Sequence, residues 1–391
     1  MRPKNARLVV LVAAIAVAAV AVGGVLAYRQ GPQSDGDAAA PLSGPSTPTG
    51  TPTTPAASTP VPPSATPSTT PSGPLYSGPV KVTLKLSKLP KGRDPQMAYL
   101  IGREVRGGAG LPIKIPGSEY IQEIARLGDA VLAIVTKGNG TELLKVDSAG
   151  NAERTADVTT VVTTADQTAA AYATTPTGSD GGAKRGSTLY AQTADTGEVH
   201  KLSLPKAWKT RVLGYQNGKV YFSWGDTDGT TETRLYTWTP GATEATHIKT
   251  INSPTAVTRD GRLAASKNVQ GDYGTCSTIN TIDVGKQLWR TCENQVTGFT
   301  PNGSIAVGGP AYGDGYSPLE VAALDAKTGK LLREWGGGPS FLETVVEDDQ
   351  HFLIIADDGP DTPRGVIRCN VTTGGCEVAI PLTTKAVKLA R

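Results

Sequence analysis

Residues 211–249 read RVLGYQNGKVYFSWGDTDGTTETRLYTWTPGATEATHIK, and this stretch decides the fold. It contains four short runs rich in Val, Tyr, Thr and Trp, a composition typical of β-strands. The first two runs are separated by Asn217-Gly218, a pair that favours a type I′ hairpin because both of its residues take positive φ easily. The last two runs are separated by a turn at Gly241. The segment therefore predicts four consecutive antiparallel strands.

The same order of strands and turns returns along the chain. The hairpin signal of Asn217-Gly218 recurs at Asp260-Gly261 and at Asn302-Gly303, at spacings of 43 and 42 residues. A repeat of 40–50 residues, each with four strands, is typical of a β-propeller. A turn glycine also recurs at spacings of 47, 44, 44, 44 and 45 residues, at Gly150, Gly197, Gly241, Gly285, Gly329 and Gly374.

The number of units predicts an all-β, seven-bladed β-propeller. Residues 80–391 form the propeller, and these 312 residues divide into seven units of about 45. Around Gly107, the runs VKVTLKLSKL, QMAYLIGREV and LPIKIPG supply three strands of the first blade. We expect residues 385–390, KAVKLA, to complete that blade and close the ring, so that no strand edge stays open. The alternative is a six-bladed ring with the first strands outside it.

The start of the chain predicts a membrane anchor. Residues 1–7 form a basic cytoplasmic tip, and the uncharged residues 8–28 are long enough for a transmembrane helix across a hydrocarbon core of about 30 Å. The positive charges before this run place the rest of the chain outside the cytoplasm. The alternative is a cleaved signal peptide with Val25 and Ala27 at its cleavage site, but the apolar run is longer than such peptides usually have.

Residues 29–79 have the composition of a disordered linker. Between Gly31 and Pro79 there are 13 Pro, 9 Thr and 8 Ser, with Tyr76 as the one aromatic residue. Such a segment buries too little apolar surface to offset the entropy lost on ordering. We therefore expect a tether, either an inert spacer or a stalk that carries the propeller through a cell wall. The expected location is the cell membrane, as a single-pass protein with an extracytoplasmic propeller.

Several segments resemble the repeats of known propellers. LDAKTGKLLREW (324–335) and DVGKQLW (283–289) resemble quinoprotein-type and WD40-like repeats, while RDGRLAAS (259–266) and TPNGSIAVGG (300–309) are similar to WD40 and TolB-type hairpins. The resemblance implies a membrane-anchored bacterial member of this superfamily, of actinobacterial type. Trp289 follows its turn glycine by four residues, as in the quinoprotein pattern, whereas Trp335 misses that spacing by two. Binding of pyrroloquinoline quinone is therefore not implied, and TolB-like names imply partners in translocation across an envelope.

The four cysteines predict two disulfide bonds within hairpins. Cys276 and Cys292 are equidistant from the turn at 283–285, and Cys369 and Cys376 are equidistant from the turn at 372–373. Residues equidistant from a hairpin turn face each other within disulfide reach. A zinc site is the alternative, but the spacing matches no zinc pattern.

The sequence offers little catalytic chemistry. His200, His247 and His351 fall in three different blades and are interpreted as solvated, so a Ser-His-Asp hydrolase would lack its base. The net charge of +3 is too small to indicate a basic nucleic-acid-binding surface, and we predict no nucleic-acid partner. We predict no cofactor; calcium at the acidic loops 225–229 and 357–361 is the alternative, because clustered carboxylates are suitable oxygen ligands.

The connections between second and third strands are the candidate binding surface. They project from one face of the disc, and several combine Asp with Tyr or Trp, which present wide amphipathic surfaces. Simple turn formation by Asp and Gly is the alternative interpretation. The candidate residues are Trp224, Asp226, Asp272, Tyr273, Tyr312, Asp314, Tyr316 and Asp358.

These features favour a monomeric binding or scaffold module for an envelope protein, a wall polymer or a small ligand. The alternative is a lactonase-like hydrolase or sugar dehydrogenase with a metal in the central channel. Three or more Asp, Glu or Asn side chains converging in that channel would favour the enzyme. A channel filled by Val, Thr and Ala would favour the scaffold.

Overall fold

Short β-strands follow one another along the chain and are joined by turns and loops. The computed structural model describes residues 76–227, 232–269, 275–312 and 317–391, with one 3-10 helix at Leu86–Lys88 and no α-helix among them. The strands, in chain order, are β1 Lys81–Thr83, β2 Tyr99–Ile101, β3 Glu104–Arg106, β4 Ile113–Lys114, β5 Ile121–Leu127, β6 Ala130–Lys137, β7 Gly140–Val146, β8 Ala152–Ala156, β9 Val158–Thr163, β10 Ala169–Thr174, β11 Ser187–Thr193, β12 Val199–Leu204, β13 Trp208–Gln216, β14 Lys219–Gly225, β15 Arg234–Trp238, β16 Thr246–Asn252, β17 Pro254–Val257, β18 Leu263–Val269, β19 Thr275–Thr281, β20 Gln287–Thr291, β21 Asn294–Phe299, β22 Ile305–Pro310, β23 Glu320–Asp325, β24 Leu331–Gly336, β25 Ser340–Val346, β26 His351–Asp357, β27 Arg364–Asn370, β28 Cys376–Thr383 and β29 Val387–Leu389.

The strands form seven sheets around a central channel, and we number these sheets as blades 1 to 7. From the channel outward, blade 1 contains β29, β2, β3 and β4, blade 2 contains β5–β8, blade 3 β9–β12, blade 4 β13–β16, blade 5 β17–β20, blade 6 β21–β24 and blade 7 β25–β28. Neighbouring strands within each blade are antiparallel. The predicted seven-bladed propeller is confirmed for the described residues, and the six-bladed alternative is wrong.

The antiparallel order of the blades defines two faces of the ring. The connections between first and second strands and between third and fourth strands lie on one face, which we call the turn face. The connections between second and third strands, together with those between blades, lie on the opposite face, which we call the loop face. The inner strands therefore run from the loop face to the turn face.

The periodic glycines occupy one position in each repeat. All six lie between the third and fourth strands of their blades, with φ between 68° and 92°. Asn217 and Gly218 have φ of 52° and 68°, as a type I′ hairpin requires. In the Asp260-Gly261 and Asn302-Gly303 hairpins only the glycine has positive φ. The strands there close around four-residue loops, because the N–H groups of Thr258 and Thr300 pair with carbonyls five residues later, each at 2.9 Å.

The strand β29 completes blade 1, as predicted for residues 385–390. It pairs antiparallel with β2, with Leu389 opposite Tyr99 and Val387 opposite Ile101. One further backbone hydrogen bond extends the pairing at each end, at 2.7 and 2.9 Å. The first blade thus combines its inner strand from one end of the propeller with three strands from the other.

The first predicted strand has a different position from the one expected. Within VKVTLKLSKL only β1 is a strand, and it pairs in parallel with β24 as a fifth strand on the outer edge of blade 6. Its assignment to blade 1 is wrong, because alternation of apolar residues identifies a strand but not its partner. Blade 1 instead obtains both β2 and the start of β3 from QMAYLIGREV, which turns at Gly102.

Residues 77–94 form a strap over the outer edges of blades 6 and 7, held by two buried arginines. Arg333 of β24 is 1% exposed and donates to the carbonyl oxygens of Pro79 and, at 2.8 Å, Ser77. Arg368 of β27 is 2% exposed and donates to the carbonyl oxygens of two strap residues, each at 2.9 Å. Ser77 and Pro79 lie in the stretch whose composition predicts a linker, yet their backbone is anchored to the propeller.

Apolar packing occurs at every contact between consecutive blades. Seven clusters of buried side chains lie among the described residues, one for each pair of neighbouring blades. At the closing contact, Leu389 of blade 1 packs with Leu353 of blade 7, and both are nearly fully buried. Burying such a side chain contributes about 2 kcal/mol. The ring is therefore held by the faces of its blades as well as by the pairing of β29.

Two tryptophans each connect one blade to the next blade in the ring. Trp289 on the outer strand of blade 5 donates from Nε1 to the carbonyl oxygen of Ala326 in blade 6, at 2.8 Å. Trp335 on the outer strand of blade 6 makes the same contact with Gly374 of blade 7, at 3.0 Å. The two-residue difference in their spacing leaves both on the same face of their strands, because side chains alternate with a period of two.

Both predicted disulfide bonds are present. Cys276 is bonded to Cys292 in blade 5, and Cys369 to Cys376 in blade 7, with Cα atoms 4.0 and 4.1 Å apart. Cys369 and Cys376 are facing positions of β27 and β28, and Cys276 and Cys292 lie one residue beyond the facing pair Ser277 and Thr291 of β19 and β20, as the symmetry about the turns predicted.

We expect the double substitution Cys276→Ala/Cys292→Ala to lower the free energy of unfolding by about 3 kcal/mol, because the cross-link restricts a loop of this size in the unfolded chain. The two cysteines are 16 residues apart. Chemical denaturation without reductant measures the change. Equal unfolding free energies for this variant and the wild type would contradict the prediction.

No helix in the described ranges is long and apolar enough to cross a membrane. The predicted span at 8–28 and most of the predicted linker lie outside the described residues, so both remain predictions.

Candidate functional site: the central channel and the loop face

The inner strands enclose a channel of about 1000 Å³. Its wall is formed mainly by β9, β13, β17, β21 and β25, with Glu123 of β5 and Arg391, which follows β29. A side pocket of about 160 Å³ adjoins the channel, and Glu123, Glu343 and Arg391 line both spaces. The channel is large enough for a small organic ligand, since ligand pockets commonly measure about 300–1,000 Å³.

Eight charged residues line the channel, and Asp166, Arg259, Glu320 and Glu347 are four of them. The other four lie on blades 7, 1, 2 and 4. In ring order they are Glu343 in blade 7, Arg391 in blade 1, Glu123 in blade 2 and Arg211 in blade 4. Arg391 Nε donates to Glu343 Oε1 at 3.2 Å. Glu123 Oε2 accepts a hydrogen bond from the backbone N–H of Val161 at 3.3 Å. The wall thus presents both acceptors and donors to whatever enters the channel.

Burial dominates the electrostatics of the channel. It raises the pKa of Glu123, an effect partly offset by the Arg391 guanidinium, the Val161 N–H and Arg211. Burial also lowers the pKa of Arg211; repulsion from Arg391 adds to this effect, and attraction to Glu123 opposes it. The side chain of Arg211 is exposed in the open channel, so solvent there reduces the effect on this residue. Burial therefore acts mainly on Glu123, which is half-buried.

We expect Glu123→Gln to stabilise the protein at neutral pH. A carboxyl group with a raised folded-state pKa binds its proton more tightly in the folded state, so the ionised form costs stability. This cost grows as the pH rises from the unfolded-state pKa of about 4.3 through the folded-state pKa, and is absent at lower pH. Urea denaturation at several pH values should show a gap between variant and wild type that closes in acid.

The exposed Glu153, whose side chain is 80% accessible, provides the control for this prediction. Glu153→Gln should change the free energy of unfolding by less than about 0.5 kcal/mol, because exposed ion pairs contribute little. A Glu123→Gln variant that is less stable than wild type at neutral pH would contradict the prediction that the ionised Glu123 carboxylate destabilises the folded protein.

The channel matches neither of the two expected arrangements, which were a cluster of three or more Asp, Glu or Asn side chains and a filling of Val, Thr and Ala. It is open and not filled by Val, Thr and Ala side chains. Its two carboxylates near the centre of the wall, Glu123 and Glu343, are each attracted by the Arg391 guanidinium. Among the residues that the structure describes, no three side chains of His, Cys, Asp or Glu are placed to hold a metal ion.

Four of the eight candidate binding residues are within the described ranges, and all four lie on the loop face. Trp224 and Asp226 belong to blade 4, Tyr312 to blade 6 and Asp358 to blade 7. Blades 4 and 7 are three blades apart, so the structure does not bring Asp226 and Asp358 into one cluster. The remaining candidates, Asp272, Tyr273, Asp314 and Tyr316, lie outside the described residues, and their role remains a prediction.

Trp224 is part of an aromatic stack across blade 4. Its ring lies 5.1 Å from Tyr236, and Tyr236 lies 4.9 Å from His247 on the next strand. Next to the stack, Arg234 Nη1 pairs with Asp226 Oδ2 at 2.8 Å. Burial and the Arg234 charge lower the pKa of His247, which is half-buried and not the solvated residue predicted. The alternation of YFSW, RLYTW and THIK on neighbouring strands is the sequence signal that could have revealed this stack.

Exposed apolar side chains lie on the loop face of three consecutive blades. Tyr312 and Leu319 flank the connection between β22 and β23 in blade 6, and they are 63% and 57% exposed. Leu382, at the end of β28 in blade 7, is 50% exposed. Tyr120, between blades 1 and 2, is 61% exposed. On the turn face, Leu111 of blade 1, Val199 of blade 3 and Val284 of blade 5 are exposed, in blades that are not adjacent. Tyr76 and Val80 are also exposed, at the start of the described chain.

The chain matches no known family model, and no curated protein matches its sequence. Solved structures do match, at low identity. TolB from Acinetobacter baumannii is 14% identical, with a TM-score of 0.40, over 64% of this chain and 68% of that chain. The β-propeller domain of the Trilobed protease from Pyrococcus furiosus is 11% identical, with a TM-score of 0.48, over 67% of this chain and 83% of that chain.

Other matches include proteins much longer than this one. The chain spans half the length of a prolyl endopeptidase that it matches at 13% identity and a TM-score of 0.44, over 70% of its own length. The similar structures thus include both peptidases and TolB.

Proposed function

We propose that this protein is a tethered extracytoplasmic binding module that presents its loop face to a protein of the cell envelope. The observation that carries the proposal is the row of exposed apolar residues on blades 6, 7 and 1, formed by Tyr312, Leu319, Leu382 and Tyr120. Apolar side chains grouped on one face of a soluble domain are typical of protein-binding surfaces. Loops on a rigid scaffold are also where binding residues concentrate.

The entry point of the chain supports the same orientation. The N–H of Ser77 donates to the carbonyl oxygen of Thr372 at 2.9 Å, and Thr372 lies in the turn between β27 and β28. This turn belongs to the turn face, opposite the proposed binding surface. The described chain therefore begins on the turn face and not on the proposed binding surface.

Site-specific photocross-linking in cells tests this proposal. A photoreactive phenylalanine analogue at position 312 or 319 should form an adduct with one envelope protein. The same residue at position 284, which is 69% exposed on the turn face, should form none with that protein. Adducts with wall polysaccharide would indicate a different partner class. No adduct on the loop face, or equal adducts on both faces, would overturn the proposal.

A matched pair of substitutions tests whether the apolar contact matters. Leu382→Asp should reduce the yield of the position 312 adduct by about tenfold, because burying an unpaired charge at an interface costs more than 1.4 kcal/mol. Val284→Asp, the control on the turn face, should leave the yield unchanged.

The channel gives more support to binding than to the enzyme alternative. Two of its carboxylates, Glu123 and Glu343, are attracted by the Arg391 guanidinium, which competes with a metal ion for the same oxygens. A ligand in the channel would occupy a different site from the partner on the loop face.

A further inference from the structure

The Cys369–Cys376 disulfide joins β27 to β28 and so closes the hairpin to which the strap is attached. The carbonyl oxygen of Thr372, in the turn of this hairpin, accepts hydrogen bonds from the N–H of Ser77 and from Arg333 Nη2, each at 2.9 Å. Arg333 also donates to the carbonyl oxygen of Ser77 at 2.8 Å. The start of the strap, Arg333 and the hairpin turn therefore form one hydrogen-bonded unit, whose geometry depends on the hairpin that the disulfide closes.

The strap also packs beside the disulfide itself. A Cβ atom on Gly374 would lie 3.1 Å from Cγ2 of Val82, so β1 is in close contact with the hairpin. Further along the strap, the carbonyl oxygen of Pro90 accepts the N–H of Val378 at 2.8 Å. Gly374 and Val378 are each two residues from Cys376, and Cys376 packs against the same buried cluster as Val82. The strap thus contacts the chain on both sides of this cysteine.

The two disulfides of the ring differ in their exposure. Cys369 is fully buried, and Cys376 is half-buried beside the strap. In blade 5, Cys276 is buried but Cys292 is exposed, and the described sheet of that blade has four strands and not five. A thiol must reach a sulfur atom to exchange with a disulfide. The strap therefore restricts access to the bond in blade 7, while the bond in blade 5 stays accessible at Cys292.

We infer that the Cys369–Cys376 disulfide is a redox latch for the strap. The attached strap shields the bond from thiols, and loss of the bond loosens the strap, because a coupling between two equilibria acts equally in both directions. This inference goes beyond the proposed function, because it concerns the attachment of the strap to blades 6 and 7 and not the partner on the loop face.

Opening of the latch requires a dithiol as the reductant. A thiolate of the dithiol attacks Sγ of Cys376, which is the less buried sulfur, and the S–S bond breaks with Cys369 as the leaving thiolate. The Cys369 thiolate takes up a proton. The second thiol of the reductant loses its proton and displaces Cys376, which leaves as a thiolate and is protonated. Two electrons pass to the protein, and the dithiol becomes a disulfide.

Timed reduction of the folded full chain in detergent tests the shielding. The protein is treated with dithiothreitol, free thiols are alkylated, and mass spectrometry follows each disulfide separately. Arg333→Met should accelerate reduction of Cys369–Cys376 by about 10- to 100-fold, because the thiol reaches this bond when the strap opens. Reduction of Cys276–Cys292 should keep its wild-type rate. Amide exchange in β10 of blade 3 should also be unchanged, which distinguishes opening of the strap from unfolding of the ring.

Removal of the bond tests the reverse effect. Cys369→Ala/Cys376→Ala should accelerate amide exchange in β1 by about tenfold, because the hairpin is no longer cross-linked. Cys276→Ala/Cys292→Ala is the matched control, since it removes a bond between the third and fourth strands of blade 5 and should leave exchange in β1 unchanged. The inference is overturned if Arg333→Met leaves the reduction rate of the blade 7 bond unchanged. It is equally overturned if the two double variants give the same exchange rate in β1.

Discussion

Trp335→Ala is expected to lower the free energy of unfolding by about 4 kcal/mol, one of the two largest effects of a single substitution in this propeller. The ring is fully buried between blades 6 and 7, where it meets the edge of Phe352 at a centroid distance of 5.8 Å. The loss combines a cavity with a missing hydrogen bond to the Gly374 carbonyl. Guanidinium chloride denaturation followed by circular dichroism measures it.

Trp335→Phe separates the two contributions. It keeps an aromatic ring but removes the indole N–H, so it should cost about 1–2 kcal/mol. Tyr312→Ala, which removes an aromatic ring that is 63% exposed, should change stability by less than about 0.5 kcal/mol. A Trp335→Ala variant as stable as Tyr312→Ala would show that the blade 6–7 contact does not depend on this side chain.

Arg333→Met is expected to cost about 3 kcal/mol, because four hydrogen bonds from a charged donor are lost and methionine replaces only the apolar stem. The Arg333 guanidinium donates to the carbonyl oxygens of Ser77 and Pro79 in the strap and of Val371 and Thr372 in blade 7. Without it, the strap should separate from blade 6. Amide hydrogen exchange in β1 should then accelerate by about 100-fold.

The control for this prediction is Lys249→Met on the outer strand of blade 4, where the lysine is exposed. It should leave both stability and exchange in β1 nearly unchanged. If Arg333→Met accelerates amide exchange throughout the ring and not selectively in β1, the strap unfolds only together with the whole domain. That result would contradict the prediction that the strap separates from blade 6 on its own.

Local chemistry allowed the sequence to predict the architecture. The turn glycines, the Asn217-Gly218 hairpin and both disulfide pairs depend on residues close in the chain, so each left a readable pattern. The closing strand β29 followed from counting, because one blade lacked an inner strand. Each of these inferences needs only the period of the repeat and the geometry of an antiparallel hairpin.

The strap and the channel could not be predicted in this way. KLLREW places Arg333 on an outer strand, where a charged side chain normally faces solvent. Its burial depends on carbonyl groups more than 250 residues away, and backbone carbonyls have no residue-type signature. The channel residue Glu123 comes from β5 of blade 2, and Arg211 comes from β13 of blade 4. No local motif therefore marks them.

The direction of β1 has a mechanical consequence. Its first residue, Lys81, pairs with Glu334 near the middle of β24, and β1 runs alongside β24 toward the loop face. Tension applied to the preceding chain from the turn-face side acts along the axis of β1. The hydrogen bonds between β1 and β24 are then loaded together in shear and do not break one after another. Force on the chain before Ser77 would thus reach the ring at blades 6 and 7, where the hydrogen bonds of Ser77 with Arg333 and Thr372 resist it first.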